Sequence, residues 1–441
     1  MSTDIRHLLA ILSAAIVLWI TKPIPIYMTG ILIPVAAWAT GFAPFDTAFS
    51  GFAGTTFWFL FAALGIAGCI RESGVARRIA LFMLTKVKPS FSSLILTLVI
   101  IMFVLGYVLP LAAARVALML AIIVPIITLF DVQIRRNLGK AAIIIVALLG
   151  AASAWQVLTG GMPGMLLWGS LEQAGYSVSW LNWALIMLFP TVLVFAAMYF
   201  VVTKLFKPKG DEVPVDTQHL KNDLIALGPI RGGERKALII LAFIVLLWVT
   251  EPVHHLGVER VGILGVFLFV LPAVGTIDFD TFLKKAVPWA LLLFVGALMS
   301  LNAMASSSGL GGYIDENFVS PLYSIAGNPV MFVVSTWLLN TLVSAAVLFP
   351  PSIPLLTPAI ASSAMAAGVN PVVGGLVYLS CFPQMLFYAA VPFFPLAYDS
   401  GAIEIKDWVK AGFFFWLAWP VAHIICFYTW YPLLEYLGVL S

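Results

Sequence analysis

The sequence predicts an all-α polytopic membrane protein made of two inverted repeats, each with five crossings and one re-entrant helical hairpin. Three observations predict it. The first is composition: 62% of the 441 residues are hydrophobic and 10% are charged, where a soluble protein is about 25% charged. The chain offers about ten apolar runs close to the roughly 20 residues that cross a bilayer. A β-barrel would show short alternating segments instead. The second is an internal repeat at an offset of about 230 residues. Trp19-Ile20-Thr21-Lys22-Pro23 returns as Trp248-Val249-Thr250-Glu251-Pro252, and Ser73-Gly74-Val75 returns as Ser308-Gly309-Leu310. The third is the siding of positive charge, taken up below.

The N-terminal repeat, 1–203, opens with apolar runs near 7–21, 26–41 and 56–70. The first lacks a small-residue cleavage site and leads into more membrane sequence, so a cleavable signal peptide is not expected. The basic stretch 71–88 carries Val75, Ile79, Leu81 and Met83 at amphipathic helix spacing and reads as an interfacial helix. Two apolar arms, 91–109 and 115–130, meet at Pro110-Leu111-Ala112-Ala113 as a hairpin, 91–130. The run 141–168 is interrupted at Thr159-Gly160-Gly161-Met162-Pro163-Gly164, and 180–202 closes the half. The polar stretch 204–236 reads as a solvated linker. The C-terminal repeat, 237–441, has runs near 237–249, 261–274 and 289–304, a hairpin of about 329–365 whose arms meet near Ser344, a run 372–397 broken at Pro383-Gln384, and an aromatic final run.

Charge orients this scheme. Five crossings per half make the repeats inverted. With the 71–88 stretch placed in the cytoplasm, all 23 Lys and Arg residues except Arg6, Arg260 and Arg115 also lie inside. The linker is then cytoplasmic and both termini are external.

Inverted repeats with broken helices hold substrate where the helices break, because freed N–H groups and helix N-termini point into the gap and favour an anion. The candidate site therefore combines Leu111, Ala112, Ala113, Ala114 and Arg115 at the first tip with Thr159, Gly160, Gly161 and Pro163 at the first broken crossing. Ser344, Ala345 and Ala346 at the second tip and Pro383 and Gln384 at the second break complete it. Arg115 stands out as a full charge inside an apolar run. It must face protein, water or an anion, and its planar fork suits an oxygen pair. His423, inside the last run, reads as a hydrogen-bonded structural residue, and His254-His255 as solvated loop residues. Asp46, Glu172, Glu251 and Asp399 sit at run ends, which leaves no obvious buried carboxylate for proton coupling. Cys69, Cys381 and Cys426 lack metal or disulfide spacing and read as buried core residues. There is no phosphate loop, metal-ligand cluster or catalytic dyad, so the pattern speaks against an enzyme, and no nucleic-acid partner is expected.

The segment Trp19 to Pro25, the Ser73 to Ala80 turn, the Arg115-Val116-Ala117 step and Phe382-Pro383-Gln384 together resemble motifs of the divalent anion/sodium symporter family of the ion transporter superfamily. The resemblance covers nearly the whole chain. It implies a homodimer in the inner membrane, elevator-type alternating access, and substrates such as succinate, malate, citrate, 2-oxoglutarate or sulfate, with sodium as the one expected coupling ion and no other cofactor. The family's first helix has no counterpart here, in agreement with an external N-terminus. The family's Ser-Asn-Thr tip lies at Leu111-Ala112-Ala113, and the second tip keeps Ser344 but continues Ala345-Ala346. A residual sodium site would fall near Ala112, Gly160 and Ser344 on backbone carbonyls alone, so weak sodium coupling and a more apolar pocket, open also to sulfonates, are expected. An uncoupled exchanger or channel of the same fold, and an inactive or non-transporting membrane subunit, are the alternative readings.

Overall fold

The computed structural model describes residues 2–88, 90–109, 111–128, 132–208, 217–230, 232–324, 326–346, 349–383 and 394–440. Among them every regular element is a helix and there is no strand. The main helices are α1 (Thr3–Thr21), α2 (Ile26–Ala39), α3 (Thr55–Ser73), α4 (Val75–Leu84), α5 (Phe91–Val108), α6 (Ala112–Thr128), α7 (Val132–Ala152), α8 (Met162–Gln173) and α9 (Trp180–Leu205). They continue as α10 (Thr217–Ala226), α11 (Gly232–Val249), α12 (Val258–Val270), α13 (Trp289–Ser308), α14 (Pro329–Ala346), α15 (Phe349–Ala366), α16 (Pro371–Ser380), α17 (Ile405–Tyr428) and α18 (Trp430–Tyr436). Six of the described helices (α1, α3, α5, α9, α13 and α17) are long and apolar enough to cross a membrane. The chain is an all-α polytopic membrane protein.

Local sequence sets the helix ends. Ser2, Ser90, Ser179 and Asn370 cap α1, α5, α9 and α16 by accepting from N–H groups two or three residues on, which removes orphan donors at each start. The duplicated motifs fold alike. Trp19 donates its indole N–H to the Ile26 carbonyl at 3.1 Å, and Trp248 donates to the Val258 carbonyl at 3.0 Å. Gly74 and Gly309 both take φ near +80° to end α3 and α13. The hydroxyl of the serine before each accepts from the N–H of the residue after it.

Packing sorts the helices into two groups. In one, α1, α2 and α3 pack with α11, α12 and α13, with the closest pairings between α3 and α12 and between α2 and α13. In the other, α5 to α9 pack with α14 to α17: α6 and α5 lie on α7, α8 lies on α15, and α9 lies along α17. Contacts of α8 with α3 and of α15 with α13 join the groups.

The 204–236 stretch contains α10, which packs on α4. One sequence expectation changes here. His254 is not a free loop residue. Its Nε2 lies 2.7 Å from the Leu247 carbonyl and its Nδ1 accepts from the Leu256 N–H at 2.9 Å, so it fastens the turn after α11. Cys69, Cys381 and Cys426 are buried free thiols, as expected.

One ion pair ties the halves of the sequence together inside the second group. Lys140 on α7 places Nζ 2.5 Å from Asp407 and 3.3 Å from Glu404 at the start of α17. Lys140 and Asp407 are both buried. Removing one partner leaves the other charge without compensation, which costs about 3–5 kcal/mol. Lys140→Ala should therefore lower the thermal unfolding midpoint of the detergent-purified protein sharply. The double variant Lys140→Met with Asp407→Leu should recover part of that loss, because it removes both buried charges but also the carboxylate that accepts the Glu404 N–H.

Candidate functional site

The first broken crossing is wider than its glycines and proline imply. Helix α7 ends at Ala152, residues 153–161 are irregular apart from a single 3-10 turn at Leu158–Gly160, and α8 starts at Met162. Pro163 is not in the break. It sits in the first turn of α8, where its missing N–H costs nothing. Gly160 and Gly161 let the strand of chain fold back on the end of α7. A Cβ on Gly160 would stand 2.6 Å from the Ser153 carbonyl oxygen, and one on Gly161 would stand 2.8 Å from Ala154 Cβ. The turn is braced from α9 and α5. Trp183 donates its indole N–H to the Trp155 carbonyl and Trp180 donates to Thr159 Oγ1, both at 3.0 Å. The Gln156 amide donates to the Phe103 carbonyl at 2.8 Å.

Arg115 closes this break against the first hairpin. It is fully buried in the first turn of α6. Its Nη1 donates to the carbonyls of Leu109 and, at 2.8 Å, Gly160; its Nη2 donates to Gly150 at 3.2 Å. A cation at a helix start is disfavoured by that helix's own dipole. Here it faces the carbonyl ends of two other helices, α5 at Leu109 and α7 at Gly150, where partial negative charge collects. The guanidinium thus answers the choice between protein, water and anion by facing protein carbonyls, and both arms of its fork are occupied in this conformation. Leu111, Ala112, Ala113 and Ala114 lead into the same helix start and are half-buried. Pro110 lies outside the described residues.

The second half supplies a matching tip and break with different chemistry. The second hairpin turns later than the sequence indicates: Ser344 is still within α14, Ala345 and Ala346 complete that helix, and α15 starts at Phe349. Ser344 donates to the Asn340 side-chain oxygen at 2.8 Å, and the Asn340 amide donates to the Tyr378 carbonyl on α16. Ser352 donates to the Phe349 carbonyl and lies 2.7 Å from the Tyr378 hydroxyl. Helix α16 ends at Ser380, with Cys381, Phe382 and Pro383 buried beyond it. Gln384 lies outside the described residues. Asn340, Ser352 and Tyr378 were not singled out by sequence reasoning, although an asparagine in the middle of an apolar arm was the available signal.

These pieces adjoin. Arg115 joins the first tip to the first break through Leu109 and Gly160. Trp155 of the first break meets Phe382 of the second edge-on, with ring centres 6.4 Å apart. Phe382 stacks on Phe349 of the second hairpin at 3.8 Å. Three buried polar atoms around the first break have no hydrogen-bond partner among the described residues: Arg115 Nε, Trp155 Nε1 and Gln156 Oε1. Such atoms are costly unless something else pairs with them.

Arg115→Lys should destabilise the protein by about 2–4 kcal/mol, since one ammonium cannot reproduce a planar fork on three separated carbonyls. Gly160→Ala should act in the same direction, because its Cβ would overlap backbone. Thermal unfolding in detergent checks both; an unchanged midpoint for Arg115→Lys would remove the guanidinium as the clasp of this break.

Comparison with known proteins agrees with the helical fold. A membrane protein of Cupriavidus necator is 27% identical over 71% of this chain, and the match spans 64% of that relative's length. The L-tartrate/succinate antiporter of Escherichia coli strain K12 is 25% identical over 87% of this chain and 80% of its own. The chloroplastic dicarboxylate transporter 2.2 of Arabidopsis thaliana is 23% identical over 86% of this chain and 72% of its own. The crystal structure of the Alcanivorax borkumensis YdaH transporter, at 14% identity, shares the fold with a TM-score of 0.52 over 86% of this chain and 87% of that one. The family described as the sodium:sulfate symporter transmembrane region matches residues 1–437. The chain, with its fully buried arginine between broken apolar helices, belongs to that family of transporters and is not an enzyme.

Proposed function

We propose that this protein is a secondary active transporter of small anions, with di- and tricarboxylates as the foremost class and sulfonates or sulfate as further candidates. The observation that carries the reading is the set of unpartnered buried polar atoms at a helix break that already holds a full positive charge. Among the described residues two are donors, able to bind the oxygens of any oxyanion, and one is an acceptor, which the hydroxyl of an anion such as L-tartrate would fill. In this reading the N–H groups at the starts of α6 (Ala112–Ala114) and α8, after Gly160-Gly161, bind substrate oxygens. Arg115 contributes its charge and holds both starts in place. Thr159 and Pro163 shape the first break. Ser344 on α14 and Pro383 beyond α16 form the opposite wall.

The two packed groups of helices support alternating access of the elevator type. The group α5–α9 with α14–α17 carries the site and moves against the group α1–α3 with α11–α13. The proposed organisation is two inverted repeats, 1–203 and 237–441, each with one re-entrant hairpin. The linker 204–236 is cytoplasmic, both termini are external, and the unit in the inner membrane is a homodimer. Relatives named as an L-tartrate/succinate antiporter favour dicarboxylate substrates.

The family's name makes sodium the natural coupling ion. The first tip favours exchange without it, because Leu111, Ala112 and Ala113 bring no side-chain oxygen to a cation and the nearby Gly160 carbonyl already accepts from Arg115.

Counterflow of radiolabelled succinate and L-tartrate into proteoliposomes tests the reading. Uptake should need internal dicarboxylate and persist when sodium is replaced by potassium. Strict sodium dependence would overturn uncoupled exchange. No uptake of any dicarboxylate, tricarboxylate, sulfonate or sulfate would overturn anion transport. Arg115→Gln should weaken anion binding by about tenfold or more, by analogy with truncation of one member of a buried charge pair.

A further inference from the structure

We infer that His423 is a positioning residue of the transport site, fixing the end of α16 against the first break; this rests on the anion site proposed between the two breaks. His423 lies on α17 and is fully buried. Its Nε2 is 2.6 Å from Ser380 Oγ and its Nδ1 is 2.6 Å from Tyr431 Oη. The hydrogen positions follow from donor counting. Ser380 has one hydroxyl proton, and the assignment that pairs every proton of this chain of bonds puts it on the Leu376 carbonyl at 2.8 Å. Its oxygen is then an acceptor, so Nε2 carries the imidazole proton. Nδ1 has none and accepts from the Tyr431 hydroxyl. The chain of bonds runs one way, from Tyr431 on α18 through the neutral ring to the last residue of α16.

The position of that last residue is what matters. Ser380 precedes Cys381-Phe382-Pro383, and Phe382 is the residue that meets Trp155. The same face of α17 reaches the first break as well. Trp419 lies four residues before His423, which puts both on one side of the helix. The Trp419 ring packs against His423, with centres 6.1 Å apart, and against Trp155, at 5.8 Å. One helix face therefore grips one break through a hydrogen bond and the other through an aromatic contact. A leucine or phenylalanine at 423 would fill the space. Only a ring or amide with a donor at one end and an acceptor at the other also pins Ser380.

The thiols next to these residues give a readout that needs no substrate. Cys381 adjoins Ser380, and Cys69, on α3 in the other helix group, serves as the internal control. Full-length protein in nanodiscs is labelled with N-ethylmaleimide and the labelled peptides are quantified by mass spectrometry. His423→Leu should raise the Cys381 labelling rate roughly tenfold, the order expected when a buried hydrogen bond no longer opposes local opening, with Cys69 unchanged. Tyr431→Phe should give a smaller rise, and His423→Gln, which keeps a donor and an acceptor, should return the rate close to wild type. In succinate counterflow, His423→Leu should raise KM with little change in kcat. An unchanged Cys381 rate in His423→Leu, an equal rise at Cys69, or no rescue by His423→Gln would overturn the assignment. If wild-type protein neither binds nor moves succinate or any other anion tested, the anion reading fails, and the Cys381 rates still decide whether His423 fixes this break.

Discussion

A helix that stops inside a bilayer leaves carbonyls that no water can reach, and the fold of this protein depends on how those carbonyls are paired. Arg115 is the main answer. It takes up carbonyls from three separate stretches of chain, at Leu109, Gly150 and Gly160. Losing a buried bond of this kind costs about 1–3 kcal/mol. The Gly150 carbonyl also accepts from the Ser153 hydroxyl and the Leu109 carbonyl from the Leu111 N–H, so the guanidinium adds the link between the stretches more than the only partner of each. The arginine repays its own desolvation only because the carbonyls come from helix ends, where the dipoles favour a cation. Remove that convergence and the first hairpin, the end of α7 and the start of α8 have no common anchor.

The other break is held differently. Its polar groups are neutral and belong to side chains: Asn340, Ser344 and Ser352 around the Tyr378 segment, and Ser380 held by His423. The two breaks meet through aromatic rings, Trp155 on Phe382 and Phe382 on Phe349. One side of the seam thus carries a fixed positive charge and backbone N–H groups, while the other offers hydroxyls, an amide and ring faces.

Much of this was legible in the sequence. Composition and the apolar runs pointed to the all-helical membrane class, and Gly160-Gly161 marked the stretch where α7 gives way to α8. What remained hidden has physical reasons. Proline reads as a breaker, yet Pro163 starts a helix, since the first turn has no use for its N–H. The break begins at Ser153, inside a run of alanines and leucines with no local signal, because it is the glycines further on that fold the chain back there. Ser344 reads as a tip from the sequence and lies within α14, before its end at Ala346. The partner of Arg115 could not be read either. A charge in an apolar run announces that it must be satisfied and says nothing of by what. His423 was expected to be bonded and is, but the identity of its partners, 43 and 8 residues away, depends on packing alone.

Asp407 holds two jobs at the start of α17. Its carboxylate accepts the Glu404 N–H, closing the capping box that starts the helix, and the same carboxylate receives the Lys140 ammonium from α7. Sliding α7 along α17 would therefore strip the cap and the ion pair together, fraying a helix as the cost of the shear. The two helices are better regarded as a single beam. Any travel of the region that carries the breaks would take α7 and α17 as one piece, with the give where α8 and α15 meet the other group of helices.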